Sequence, residues 1–375
     1  MPRANSARSI PSDVADSGAA AWPRYRDNLA RHLIGLARDL QHRLMDHLVD
    51  ACGHRDLRPS FGVLITLVAR EPRPLSQLAR ALAISPQAAS QLVNLAERAG
   101  YLAREHDPRD RRARRPVLTE SGQRLVRDAV AYLREIEADH ARHVGDADYH
   151  RFSEALATLV HGLDLTPRAN GKAAAAKTGP ARASAGMLPI LAAHVEQDLM
   201  RATGARGHPG LKLSHGQILT LIGPSGARLH RLAQLHCVSR QAISATAQDL
   251  EALGYLRRDA DPVDRRGVIV RLTGRGTRLI EDSVGALDAL EQDWKKLLDA
   301  EAFAALERVA RRIYAALELE GEILSDAFEG ASVEPSRDAL RASAPEDLKK
   351  LAARLRVRLG SRDAARLAAH LTASP

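Results

Sequence analysis

HDPRDRRARRPVLTESG, residues 106–122, puts five arginines into the seven positions 109–115 and then runs through Val117-Leu118-Thr119 into what reads as the start of a helix. The pattern recurs 154 residues later as ADPVDRRGVIVRLTGRG, residues 260–276. Aligning each position n with n+154 needs no gap from about Leu57 to Leu163, and residues 57–122 share 25 identities in 66 positions with residues 211–276. The matches include Ser60/Ser214, Gly62/Gly216, Gln87/Gln241, Ser90/Ser244 and the block Gly-Tyr-Leu at 100–102 and 254–256. A shared apolar period does not produce such matches, so one domain occurs twice.

Upstream of the arginine run, leucines at 29, 33, 36, 40, 44 and 48 predict a long helix over Arg24–Ala51. Ser60 is expected to cap a second helix over Phe61–Ala69, and Leu75–Ala83 reads as a short third one. Ser85 followed by Pro86 is an N-cap with proline at the first helical position, where its missing N–H costs nothing. The helix that follows, Pro86–Ala99, ends at Gly100, the residue suited to a left-handed cap. Two short strand-like runs, 101–104 and 114–118, flank a turn containing Asp107-Pro108. Thr119 then caps a long helix broken near Gly145, and another covers about 148–162. Two helices joined by a short turn and followed by a hairpin make a winged helix-turn-helix, so the fold class is mainly α with small β-wings.

This order resembles the MarR family of bacterial transcription regulators. The resemblance rests on LSQLARALAISPQAASQLVNLAERAGYL and on the wing residues Asp107, Arg109 and Arg112, followed by Val117-Leu118-Thr119 and Gly122. Copy two matches with LHRLAQLHCVSRQAISATAQDLEALGYL, Asp261, Arg266, Leu272-Thr273 and Gly276, but Val263 stands where the middle arginine would be. The resemblance implies tandem winged helix-turn-helix domains with a helical dimerisation region. It also implies a double-stranded DNA partner, a repressor role and release by a small aromatic or anionic effector.

Composition agrees with a basic, helical protein. The net charge of +9 points to a polyanionic partner. Aromatic residues make up 3% of the chain, a mild argument against a large stacking pocket. Two cysteines without paired spacing, Cys52 and Cys237, fit a reducing compartment, and no run approaches the ~20 apolar residues that span a bilayer. The expected location is therefore the bacterial cytoplasm, with no membrane partner.

The expected organisation is a disordered tail over 1–21, a first domain over 22–165, a flexible linker over 166–186, a second domain over 187–324 and a C-terminal extension over 325–375 that is helical or partly disordered. In that extension Ser343–Glu346 resembles a capping box, and 361–372 a short helix. At about 5–6 Å × √n the linker spans about 25 Å, enough for the copies to pack side by side.

The helix after Ser85 buries Ala89, Val93 and Ala96, which leaves Pro86, Gln87, Ser90, Gln91 and Asn94 to face a major groove. In copy two Ile243, Ala247 and Leu250 are buried and Arg240, Gln241, Ser244, Ala245 and Gln248 face outward. Glutamine and asparagine pair bidentately with adenine, and Arg240 suits guanine or a phosphate. On the wings, Arg109, Arg111, Arg114 and Arg265 are the candidate DNA contacts, since a narrow minor groove attracts guanidinium groups. Asp110 with Arg112, and Asp264 with Arg266, are assigned by the resemblance to structuring the hairpins. Val263 and Gly267 should make the second wing the weaker contact.

The same chain admits rival readings. His140 and His143, or His42 and His47, have helical spacing for zinc, but Trp294 stands opposite His140 in copy two, so no duplicated metal site exists. Cys52, beside His54 and Arg55, is a candidate redox thiol; Cys237 takes the place of Ala83 in a core. No nucleophile–base pair, glycine-rich phosphate loop or carboxylate constellation stands out, so neither an enzyme nor a cofactor is expected. Two further functions stay open: an interaction or ligand-sensing protein with degenerate DNA binding, and a non-specific nucleoid protein. Pairing is expected as an intramolecular pseudo-dimer, with a homodimer of fused chains as the alternative.

Overall fold

A computed structural model describes residues 20–82, 84–107, 110–165, 184–223, 226–228, 240–260 and 268–319. Residues 20–26 are helical, the chain breaks at Asp27-Asn28, and α1 (Leu29–Asp46) follows, ending in a π-helical turn (His47–Ala51). The continuous helix expected from Arg24 to Ala51 is thus interrupted. Asn28 is the cause: its Nδ2 donates to the carbonyls of Arg24 (3.1 Å) and Tyr25 (2.9 Å), while its Oδ1 accepts from Arg31 N at 2.8 Å. One side chain closes the first helix and opens the second, in competition with the backbone ladder.

The remainder of copy one is α2 (Phe61–Arg70), α3 (Leu75–Ala81), α4 (Pro86–Arg98), β1 (Leu102–Asp107), β2 (Asp110–Leu118), α5 (Glu120–Val144) and α6 (Asp146–Gly162). Ser60 does not cap α2 through its side chain; it is itself helical (φ −65°, ψ −17°), and the helix starts from the Arg58 and Pro59 carbonyls. Ser85 does cap α4, its Oγ accepting from Ala88 N at 3.1 Å. Gly100 closes that helix with φ +82°, and Gly145, at φ +91°, separates α5 from α6.

Copy two consists of α7 (Ser184–Ala205), α8 (Leu213–Leu221), β3 (Ala227–Arg228), α9 (Arg240–Ala252), β4 (Leu256–Ala260), β5 (Val268–Leu272), α10 (Gly274–Leu297) and α11 (Ala300–Ala316). The counterpart of α3, with Cys237, lies outside the described residues, as do 1–19 of the expected tail, 166–183 of the expected linker and the C-terminal extension; residues 20–21 and 184–186, expected in tail and linker, are helical.

The two sheets differ. Copy one has the hairpin β1–β2, whereas copy two has three strands in the order β3-β5-β4, with Ala227 opposite Val270 and Arg228 opposite Ile269. At the positions equivalent to Arg228 and Val270, copy one carries Pro74 and Pro116. Proline has no N–H to give to a ladder, so the third strand is removed from both sides of the pairing.

By packing, the described chain divides into two compact units, and the division falls inside α1 and α5. The smaller, 41–133, is the first winged domain, built on Phe61, Leu64, Val68, Leu78, Val93 and Tyr101. The larger contains the second winged domain, built on Ile218, Ile243, Leu250, Tyr255, Val270 and Leu279, together with terminal helices of both copies. Within it α6 packs on α7 and α11, and α7 packs on α10. Leu33, Leu36, Leu156, Leu188, Leu191, Val309 and Ile313 are fully buried there, each worth about 1.5–3 kcal/mol of burial.

Candidate nucleic-acid interface

Each winged domain exposes one face of its second helix-turn-helix helix and one hairpin. In α4 the stripe Ala89, Val93 and Ala96 is buried against the domain core. Pro86, Gln87 and Gln91 are exposed and Ser90 and Asn94 half-buried on the opposite side, as the helical period requires. In α9 Ile243, Ala247 and Leu250 are buried, Ala245 and Gln248 are exposed and Ser244 is half-buried. Arg240 and Gln241 lie on the first turn of α9; their side chains are outside the described set.

The first wing pairs Leu102 with Leu118 and continues to His106 opposite Arg114 and Asp107 opposite Asp110, with an irregularity between His106 and Asp107. Arg115 stands opposite Glu105, an opposite-charge cross-strand pair. Arg114 is exposed. Asp110, Arg111 and Arg112 lie on β2, their side chains undescribed, and Arg109 falls outside the described residues. In copy two β4 and β5 form the stem of the wing, and the tip with Val263, Asp264, Arg265 and Arg266 lies outside the described residues.

The wings are tied to the helices they flank. Arg104 on β1 lies 3.4 Å from Glu97 of α4 through its Nε and donates from Nη2 to Asn94 Oδ1. The matching Arg258 lies 3.0 Å from Glu251 of α9. At the far end of each hairpin a threonine does two jobs: Thr119 Oγ1 donates to Gly100 O (2.6 Å) and accepts from Gly122 N (3.1 Å). Thr273 repeats both bonds with Gly254 (2.6 Å) and Gly276 (3.1 Å).

A second duplicated feature is not among the expectations from sequence. His54, almost fully buried, sets Nε2 at 2.9 Å from Asp128 Oδ2. In copy two His208 Nε2 lies 2.8 Å from Asp282 and its Nδ1 is 3.2 Å from the Tyr255 hydroxyl. A signal exists: both residues of the pair are identical at the repeat offset, three residues before the stretch 57–122 and six after it.

Electrostatically the copies diverge. Asp249 on α9, where copy one has Leu95, is held below the usual carboxylate range by Lys212, 2.5 Å away. His215 replaces Phe61 in the second core; burial, then the Lys212 charge, lowers its pKa, and its Nδ1 accepts from Lys212 N at 3.1 Å. Among the described residues no group of three or more His, Cys, Asp or Glu side chains is placed to hold a metal ion. Cys52 is half-buried and forms no disulfide. No described helix is long and apolar enough to cross a membrane.

Both copies match the MarR family, at residues 57–113 and 210–267. No curated protein matches the chain. Among solved structures, the transcriptional regulator Tm0710 of Thermotoga maritima shares 22% identity over 36% of this chain and 92% of its own, with a TM-score of 0.29. MarR of E. coli in its apo form shares 22% over 34% and 94%, with a TM-score of 0.29. FabT of Streptococcus pneumoniae, solved in complex with DNA, shares 17% over 34% and 92%, with a TM-score of 0.29.

Proposed function

We infer from the two tandem MarR-like domains that this chain carries that it is a sequence-specific DNA-binding transcriptional regulator, acting in the cytoplasm as a repressor. The observation that carries the reading is the pairing, in both copies, of an outward polar helix face with a hairpin anchored to that same helix. α4 and α9 read base edges in the major groove through Gln87, Ser90, Gln91 and Asn94, and through Arg240, Gln241, Ser244 and Gln248. The wings, with Arg109, Arg111, Arg114 and Arg265, follow the backbone and minor groove, and Asp110–Arg112 and Asp264–Arg266 shape their tips. A small aromatic or anionic effector releases the DNA.

The two domains pair within one chain. Contacts between terminal helices of the two copies support this. Glu137 accepts from Ser184 Oγ and Ala185 N, both at 2.9 Å, at the start of α7. Its repeat counterpart Glu291 accepts from Arg24 at 2.5 Å, ahead of α1. Each copy's long helix thus holds the entry to the other copy's first helix, the relation a two-fold axis generates. Arg38–Glu196 (2.6 Å) and Arg312–Asp148 (3.0 Å) add further links.

Binding of the purified chain to its own promoter region and to a scrambled duplex, titrated across salt and paired with a solution mass, tests the proposal. A specificity ratio of about a thousand or more, with one chain per duplex, is the expected result. Equal affinity for both duplexes, steeply weakened by salt, fits a non-specific nucleoid protein. The Asp249 carboxylate on α9 and Val263 in the second wing favour a second reading, an interaction protein with degenerate DNA binding, which predicts no binding at moderate salt.

A further inference from the structure

Arg104 stands where the first strand of the wing passes α4. Its guanidinium spans one turn of that helix, donating to Asn94 Oδ1 and lying 3.4 Å from Glu97. The arginine and the glutamate recur as Arg258 and Glu251, 3.0 Å apart. The second hydrogen bond does not recur. Arg258 Nη2 donates to the main-chain oxygen of Ser244 at 3.3 Å, while Gln248, at the position of Asn94, is exposed.

We propose that Arg104 is a specificity-determining positioning residue: it holds the carbonyl oxygen of Asn94, so that copy one offers only donors at this point of the groove. This rests on the DNA-binding reading above. A free asparagine pairs with adenine because its oxygen accepts from the N6 amino group while its amide donates to N7. With a guanidinium on that oxygen, one lone pair is taken, and the adjacent positive charge opposes the approach of a second N–H donor. What remains outward is the Asn94 NH2 group beside the spare N–H groups of Arg104. Guanine, with O6 and N7 both acceptors, fits that edge; adenine, with an acceptor and a donor, does not. Gln248 keeps both its oxygen and its amide for the groove, so copy two reads adenine at the equivalent position. The two half-sites therefore differ at a base where the helices carry chemically alike side chains.

Selection of binding sites from a randomised duplex pool, with the full chain as wild type, Asn94→Ala and Arg104→Ala, tests this. Asn94→Ala identifies the base position by flattening its preference. At that position the wild type should favour guanine over adenine, by about 5- to 150-fold for a good bidentate contact. Arg104→Ala should turn the preference to adenine there and leave other positions unchanged. Adenine in the wild-type site, an unaltered preference in Arg104→Ala, or an even decline at all positions would each overturn the proposal, the last by making Arg104 a general support of the wing. A wild-type protein that enriches no sequence at all would instead overturn the reading of sequence-specific DNA binding on which this rests.

Discussion

Gly122 sits at the joint of helix exit, returning wing strand and α5, and alanine there should be destabilising although alanine is the better helix former. A Cβ at Gly122 would lie 2.2 Å from the Tyr101 carbonyl oxygen and 3.2 Å from Leu118 Cδ2. Reaching even 3.0 Å requires about 0.8 Å of movement between two backbone segments. Those segments are pinned by Thr119 N to Tyr101 O (3.1 Å), Thr119 Oγ1 to Gly100 O (2.6 Å) and Gly122 N to Thr119 Oγ1 (3.1 Å). Helix propensity favours alanine by about 1 kcal/mol. Overpacking costs about 1–3 kcal/mol, and each strained or broken hydrogen bond about 1 kcal/mol more. With one to three of those bonds affected, the sum predicts that Gly122→Ala destabilises by about 1–5 kcal/mol. Gly62, in α2 of the same compact unit, meets nothing within 4 Å of an added Cβ, so Gly62→Ala should stabilise by up to about 1 kcal/mol. Urea unfolding of the two variants, followed through the transition of that unit, should shift the midpoint in opposite directions. Equal or parallel shifts would refute the argument that steric fit at the joint outweighs propensity.

Three further outcomes follow from the geometry. His32 lies against the Tyr314 ring (centroids 4.9 Å apart), and burial, opposed by Asp27 and assisted by Arg311 and Arg31, lowers its pKa to about 4. Its neutral form is therefore the folded one: stability is present above the ordinary value near 6.5 and declines as pH falls from there toward about 4, at up to about 1.4 kcal/mol per pH unit. Replacing it in His32→Gln should flatten the urea midpoint over that window while the wild type declines. Ser85→Ala removes the α4 cap and should cost about 1 kcal/mol in the same unfolding assay, with Ser85→Gly costing only a few tenths. In the first wing, Arg109→Ala with Arg111→Ala should lower the slope of log K against log salt by about 0.9 for each phosphate no longer neutralised; an unchanged slope would remove these arginines from the interface.

Much of this fold is legible wherever the rule is local. Ser85-Pro86, Gly100 and Thr119 each set a boundary through a bond or a φ angle belonging to one or two residues, and α4, the wing and α5 follow. The break at Asn28 is hidden because the leucine period runs on through it, and period alone does not register a side chain that bonds to its own backbone. Ser60 misleads in the opposite sense: the residue type suits a cap, but its helical backbone leaves the Arg58 and Pro59 carbonyls to start the helix. The third strand of copy two is legible in retrospect from Pro74 and Pro116 set against Arg228 and Val270. Of the candidate interface, the outward helix faces come directly from periodicity. Arg104–Asn94 and His54–Asp128 do not, because each joins residues whose separation in space is set by packing.

Fusion removes a constraint that shapes ordinary two-fold dimers. In an isologous interface one surface meets itself, so a contact between i and j is also a contact between j and i. Here Arg38 meets Glu196, but the counterpart positions, set by the matching buried stripes of α1 and α7, hold Ala193 and Gln41. Arg312 meets Asp148, whereas the counterparts are Thr158 and Ala302. Of these links, the glutamates 137 and 291 keep the same role on both sides, and they do so with different partners, a helix start in one case and an arginine in the other. A homodimer changes both sides with every substitution; a fused chain changes one. The same freedom extends to the outward faces of α4 and α9, where Asn94 accepts from Arg104 but Gln248, at the matching position, does not engage Arg258, which donates to the Ser244 main-chain oxygen instead. On the proposed reading, divergence of the two recognition faces is an outcome open to two fused domains, each free to change without the other.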